Sequence, residues 1–229
     1  MASLLFHELA HANDFLPPTQ YEGLSRTQSF FQATQNITQV SDVLNTLFGL
    51  ESAEMFRLAQ VLYAGASPSD TDLARTAPEV GGFFGVDQAS DNYSYFTRFE
   101  DLAMLFEEAM IKKHFGVDRN LAFVSNPAEP EDCDSFVVGW GVRNRIADTE
   151  VKIRAEWVAN QLLPNSDHST FFDELPEPQA MEAGKGWCEA LVIEGNNPET
   201  AADERVKETE EWHLEQMERP YAPFDGQIK

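Results

Sequence analysis

TRFEDLAMLFEEAMIKKH, residues 97–114, carries the clearest helical pattern of the chain. Apolar side chains recur there every three or four residues, so they share one face of a helix. They are Phe99, Leu102, Ala103, Phe106, Ala109 and Met110. Gly116 follows as the expected C-cap, because glycine adopts the left-handed conformation without strain. The pattern predicts a helix over 97–114 that buries this face.

Working outward from it, we expect a mainly α protein of the α+β class with a small β hairpin. Helical spacing predicts helices over 2–12, 40–49, 51–63, 67–75, 148–163 and 201–218. β-branched and aromatic residues predict strands over 120–125 and 136–140, which pair as the hairpin, and a further strand over 187–193. Residues 79–96 and 173–182 are predicted to be loops, with Pro78 ending the helix before the first of them.

The domain prediction is a helical metal-binding domain over 1–165, followed by an acidic extension over 166–229 that carries a charged helix. With 229 residues, the chain is long enough to bury a core without help from disulfides. Cys133 and Cys188 are its two cysteines, and the sequence alone leaves open whether they pair.

The overall charge excludes some classes of partner. Asp and Glu number 39 against 16 Lys and Arg, a formal net charge of −23 that repels nucleic-acid phosphates and anionic membranes. We expect no nucleic-acid partner and no membrane association, since no apolar run is long enough for a span or a signal peptide. Such acidity also occurs in proteins that are adapted to salt or secreted into it, and we interpret it as a solubility trait. We expect a soluble protein whose compartment the sequence leaves unknown, with an extracytoplasmic location slightly favoured over a cytoplasmic one.

His7-Glu8-Leu9-Ala10-His11 is the motif that points to chemistry. Two histidines four residues apart lie on one face of a helix, so both imidazoles can reach one Zn²⁺ ion. Glu8 lies beside them and can act as a general base on a water molecule. Apolar neighbours predict that this helix is buried. The alternative is a core helix whose two histidines are only hydrogen-bonded.

A zinc site of this kind needs a third protein ligand. Asp14 lies about 10 Å along the helix axis from His7 at 1.5 Å per residue, so it is better interpreted as a helix-end or supporting carboxylate. Glu100, at the start of the 97–114 helix, is the preferred candidate. Its alternative role is a capping box with Thr97. Glu107 and Glu108 remain alternative ligands.

With Glu100 included, the chain resembles the gluzincin branch of the zincin metallopeptidases, in the style of the anthrax-lethal-factor-like group. The resemblance covers residues 7–11 and 93–104, where a glutamate is followed three residues later by Ala103. It implies that His7, His11 and Glu100 bind one zinc ion. It also implies that Glu8 is the general base and that Tyr93, seven residues before the ligand glutamate, assists at the site. Met104 departs from the family, which often has an acidic residue there.

Together these features predict a zinc-dependent peptidase acting on peptide or protein substrates, with Glu8 and Tyr93 as catalytic residues. The alternative is a catalytically inactive zincin-like binding domain. A catalytic zinc helix normally packs on a sheet whose edge strand aligns the substrate, yet six residues precede His7. We therefore expect either a sheet from later in the chain or a fragment of a longer protein. His114 is interpreted as a helix-end residue, and His168 and His213 as surface residues.

Overall fold

The computed structural model describes residues 2–25, 27–35 and 37–192. The α-helices in these ranges are α1 (Ala2–Phe15), α2 (Phe30–Thr34), α3 (Val40–Phe48), α4 (Ala53–Tyr63), α5 (Asp70–Leu73), α6 (Ala77–Gly85), α7 (Arg98–Phe115), α8 (Thr149–Leu162), α9 (Ser169–Asp173) and α10 (Trp187–Leu191). The strands are β1 (Asn120–Val124), β2 (Val138–Arg143) and β3 (Gln179–Ala180). The protein is mainly helical with a small antiparallel sheet, which confirms the predicted fold class.

Helix α7 is the centre of the main core. Every residue from Asp101 to Met110 is buried, because α1, α3 and α8 all pack against it. The predicted apolar face is therefore only part of what α7 buries, and three acidic residues of the helix are buried as well. Its ends are as predicted: the Thr97 hydroxyl accepts a hydrogen bond from the Glu100 amide, and Gly116 ends the helix at φ 64°.

Helix α1 lies on the surface of this core, so the prediction that it is buried is wrong. Its buried residues are Ala10 and Asp14, whereas Leu4 and Leu5 are 63% and 59% exposed. One face of α1 contacts α7, and apolar side chains on the opposite face remain in solvent. The sequence pattern could not predict this exposure, because apolar residues occur on both faces of α1 and the pattern does not show which face packs on the core.

Asp14 connects α1 to α3. Its carboxylate accepts hydrogen bonds from the backbone amide and the hydroxyl of Ser41, at 2.8 and 2.7 Å. Ser41 lies in the first turn of α3, where amides have no partner within the helix. Asp14 is thus a helix-capping residue in the core rather than part of a metal site.

The sheet has the order β1-β2-β3, and both pairs are antiparallel. β1 and β2 form the predicted hairpin, with Asn120 opposite Arg143. The predicted strand over 187–193 is wrong, since residues 187–191 form helix α10. The Asp134 carboxylate accepts a hydrogen bond from the Glu189 amide, and a disulfide joins Cys133 to Cys188. These contacts hold the segment as a helical turn beside the hairpin loop.

Helix α6 occupies residues that the sequence predicted as loop. Pro78 begins this helix instead of ending the previous one, because proline is tolerated in a first helical turn. The Glu79 carboxylate accepts a hydrogen bond from the Thr76 amide and completes the N-terminal cap. At Gly81 the helix approaches the sheet so closely that a Cβ atom would lie 2.2 Å from Cβ of Trp140. Glycine is therefore required where α6 packs on β2.

The compact unit runs from Met1 to Ala190, past the predicted boundary at residue 165. Residues beyond 165 join this unit because Phe172 is buried in the core and β3 pairs with β2. Residues 191–229 form a second unit, and the predicted charged helix over 201–218 lies outside the described residues. Among the described helices, none has the length and apolarity needed to cross a bilayer.

Candidate metal centre

The site lies where α1 packs against the first turns of α7. His7 Nε2 is 3.0 Å from Glu100 Oε2 and 3.2 Å from His11 Nε2. His11 Nε2 is 3.4 Å from the same Glu100 oxygen. Two histidines of α1 and one glutamate of α7 thus direct one donor atom each to a common point. They are His7, His11 and Glu100.

Glu107 lies behind His7. One carboxylate oxygen is 3.0 Å from His7 Nδ1, and the other binds Arg119 Nη1 at 3.1 Å and the Ser3 hydroxyl. A carboxylate on the distal nitrogen of a histidine fixes the ring orientation and raises its basicity. The structure therefore separates the two candidate ligands: Glu100 faces Nε2 of His7 together with His11, and Glu107 faces Nδ1.

Only one of the two hydrogen bonds of the alternative capping box between Thr97 and Glu100 is formed. The Glu100 backbone amide donates to the Thr97 hydroxyl at 3.3 Å, but its carboxylate faces the two histidines. Burial raises the pKa of Glu100, and the hydrogen bond from His11 with the charges of both histidines outweighs that effect and lowers it. The hydrogen bond to Glu100 raises the pKa of His11 in turn, against the effect of its own burial.

Tyr93 and Glu8 lie beside this cluster. Tyr93 belongs to a 3-10 turn over Asn92–Tyr95, and its ring stacks 6.3 Å from the His7 ring. Burial raises the pKa of Tyr93, and nearby Glu100 and Glu8 raise it further, so the phenol stays a hydrogen-bond donor at neutral pH. Glu8 is exposed and close enough to raise the pKa of His11 as well. The predicted site residues are therefore brought together.

The donor atoms fit a tetrahedral cation. Zinc binds nitrogen and oxygen at about 2.0–2.2 Å, so two ligands of a tetrahedral site lie about 3.3 Å apart. The three observed separations are 3.0, 3.2 and 3.4 Å. His7 Nδ1 and Nε2 each lie 3.0 Å from a carboxylate oxygen, and in the tautomer that protonates Nδ1 the Nε2 atom carries a lone pair. His11 donates a hydrogen bond to Glu100, so a cation bound at this point would replace the His11 proton and be ligated by all three side chains.

Arg119 and Asp91 are parts of the site that sequence reasoning missed. Arg119 lies 2.9 Å from Asp91, 3.1 Å from Glu107 and 3.5 Å from Glu108. Asp91 also accepts from the Tyr93 amide at 2.8 Å, so the 3-10 turn is held by the same network. Glu107-Glu108 in the middle of an otherwise apolar helix was the available signal, because two buried carboxylates require a cation nearby.

Other residues singled out from the sequence lie away from the centre. Glu108 is buried, and its carboxylate does not join the donor atoms of His7, His11 and Glu100 that converge on one point. His168 is 2% exposed, so its surface assignment is wrong; its Nδ1 is 2.8 Å from Lys113 Nζ. His114 stacks on Phe6 near the end of α7, and His213 lies outside the described residues.

Comparison with known proteins finds no matching family model, curated protein or solved structure, so the functional assignment depends on the geometry of the site.

Proposed function

We propose that the protein is a zinc-dependent peptidase in which His7, His11 and Glu100 bind one Zn²⁺ ion. The observation that carries the proposal is the convergence of their three donor atoms at separations of 3.0–3.4 Å. Glu107 supports it, since it orients His7 from behind and leaves Nε2 for the metal. Zinc bound there would supply a Lewis acid that polarises a water molecule and the substrate carbonyl.

Two side chains would supply proton transfer and hydrogen bonding during hydrolysis. Glu8 is exposed beside His11, where it can accept a proton from the attacking water and return it to the leaving amine. The Tyr93 hydroxyl, kept protonated by its raised pKa, is hydrogen-bonded to Glu100 and would turn from it to donate to the oxygen that develops charge. The substrate is a peptide or protein, and the net charge of −23 disfavours nucleic acid.

A second candidate is a metal-free, catalytically inactive binding domain. The observation in its favour is that His7 lies 3.0 Å from both Glu100 and Glu107, so a protonated His7 would form two ion pairs. In that case a proton, rather than zinc, balances the carboxylates. The two candidates differ in whether the cluster takes up metal.

Metal removal and return distinguishes them. Peptidase activity on an unfolded protein substrate is expected to disappear after dialysis against a strong chelator and to return with one equivalent of Zn²⁺ per chain. The reason is that the donor set is built for one ion. Activity should be measured together with bound zinc by elemental analysis. Hydrolysis that persists at zinc contents near zero contradicts the peptidase proposal, and so does a chain that takes up no zinc.

Glu107→Gln tests the support of His7. The amide keeps the shape of the side chain but weakens the hydrogen bond to Nδ1, so zinc affinity is expected to fall about 10–100-fold. Competition with a chromogenic chelator measures this. Glu174→Gln is the matched control: it makes the same substitution at an exposed position and should leave the zinc affinity unchanged. An unaltered affinity in Glu107→Gln would show that His7 is not oriented by Glu107.

We also propose an extracytoplasmic location. Cys133 and Cys188 form a disulfide in the described part of the chain, and disulfides persist in oxidising compartments.

A further inference from the structure

A cavity of about 210 Å³ is lined in part by Glu107 and by Ser3 of α1. Part of its wall is apolar, formed by Ile111, Val117 and Ile146. Glu108 and Asn144 supply polar groups to the same wall. We call this space the Glu108 cavity. Its volume is below the range of about 300–1,000 Å³ that is usual for drug-sized ligands, so it suits a smaller molecule.

Glu108 is buried without adequate partners. The residue is 4% exposed, neither carboxylate oxygen accepts a hydrogen bond of ordinary geometry, and the Ser90 hydroxyl is the neutral donor close enough to lower its pKa. Arg119 Nε lies 3.5 Å from the Oε1 atom of Glu108. A buried carboxylate is normally paired and hydrogen-bonded, because desolvation of an unmatched charge is costly. Glu108 therefore retains unused capacity to accept hydrogen bonds.

Asn144 provides independent evidence on the same cavity. Its Nδ2 donates to the Pro176 carbonyl at 2.6 Å, which fixes the amide orientation and identifies Oδ1 as the remaining acceptor. That oxygen is buried and has no hydrogen-bond partner. The residue is 4% exposed and adopts a left-handed conformation with φ 58°. Two unsatisfied acceptors from different elements thus line one space.

A cation suits the cavity better than a neutral donor, because it would also stabilise the ionised form of Glu108. Arg119 is shared among three carboxylates, those of Asp91, Glu107 and Glu108. Lys112 also lines the cavity, but its ammonium group is 2.5 Å from Asp118. Burial raises the pKa of Glu108 to about 8, because Arg119 offsets only part of the desolvation. One further positive charge in the cavity would stabilise the ionised carboxylate.

The apolar wall decides which cation fits. A calcium ion takes six to eight oxygen ligands, and the aliphatic side chains of Ile111, Val117 and Ile146 offer none. A primary ammonium group has three donors, which match the acceptors of Glu108 and Asn144, and a short alkyl stem would pack on the aliphatic side chains. We propose that the Glu108 cavity binds an alkylammonium group, from either a free amine or a lysine side chain of a peptide. This site does not depend on the zinc proposal.

Isothermal titration of the full chain with n-butylammonium chloride tests the proposal. We expect saturable 1:1 binding, weakened about 10-fold or more in Glu108→Gln, since a hydrogen bond between charged partners is lost. Glu174→Gln, an exposed matched control, should bind like the wild type. Val117→Trp, which fills the cavity from a half-exposed position, should also abolish binding and serves if Glu108→Gln does not fold.

Two further titrants complete the test. Nα-acetyl-lysine amide distinguishes the sources: binding by it identifies a lysine side chain, and binding by butylammonium alone identifies a free amine. 1-Butanol has the stem without the charge and should not bind. The proposal is overturned if butylammonium does not bind, if butanol binds equally, if Ca²⁺ binds in place of the amine, or if folded Glu108→Gln or Val117→Trp retains wild-type affinity.

Discussion

Glu8→Gln protein is expected to bind zinc as tightly as the wild type and to hydrolyse peptides about 10²–10⁴-fold more slowly. Glutamine has the shape of glutamate but cannot accept the proton that the attacking water must lose. Glu8 is exposed and is not one of the three converging donor side chains, so its replacement should leave the metal site intact. Initial rates on a fluorogenic peptide and zinc content per chain measure the two effects.

The matched control is Glu150→Gln, an exposed change at the start of α8 that should retain full activity. Wild-type hydrolysis by Glu8→Gln would contradict the assignment of the general base. Loss of zinc in Glu8→Gln would contradict the separation between the base and the metal ligands.

Arg154→Met is expected to destabilise the fold by about 3–5 kcal/mol, the largest effect on stability that we expect from one substitution. Arg154 is fully buried, and its guanidinium donates to the Asp101 carboxylate and to the carbonyls of Phe48 and Gln88. It thereby joins α8 to α7 and to the end of α3. Methionine fills similar space but leaves Asp101, which is 4% exposed, without its cation.

Urea denaturation of Arg154→Met, with zinc present at a fixed concentration, measures the loss. Adding Asp101→Leu removes the unpaired acid, so the double variant should recover much of the stability. A loss below about 1 kcal/mol in Arg154→Met would place this pair with ordinary surface ion pairs. A double variant no more stable than the single one would show that the carbonyl contacts dominate.

Helical periodicity predicted the elements that build the site. The 97–114 segment became α7 with the expected caps at Thr97 and Gly116, and the hairpin appeared where β-branched residues indicated it. The four-residue spacing of His7 and His11 was enough to predict that both imidazoles lie on one face of a helix, without knowledge of any tertiary contact. Local patterns sufficed because helix caps and side-chain periodicity depend on neighbouring residues.

Features set by tertiary contacts escaped prediction. Pro78 suits a first helical turn as well as a helix end, and the choice between them depended on α6 packing against Trp140. Residues 187–193 have strand-like composition, but the Asp134 contact and the disulfide favour helix α10. The contact between Glu107 and His7 could not be predicted, because the chain has many acidic residues and periodicity does not show which carboxylate contacts which side chain.

Anomalous scattering at the zinc absorption edge, from crystals of the full chain grown with one equivalent of Zn²⁺, tests the metal centre most directly. The account predicts one peak about 2.0–2.2 Å from His7 Nε2, His11 Nε2 and a Glu100 carboxylate oxygen, with Glu107 still bound to His7 Nδ1. No peak there, with His7 held between Glu100 and Glu107 as in an ion-paired cluster, would contradict it.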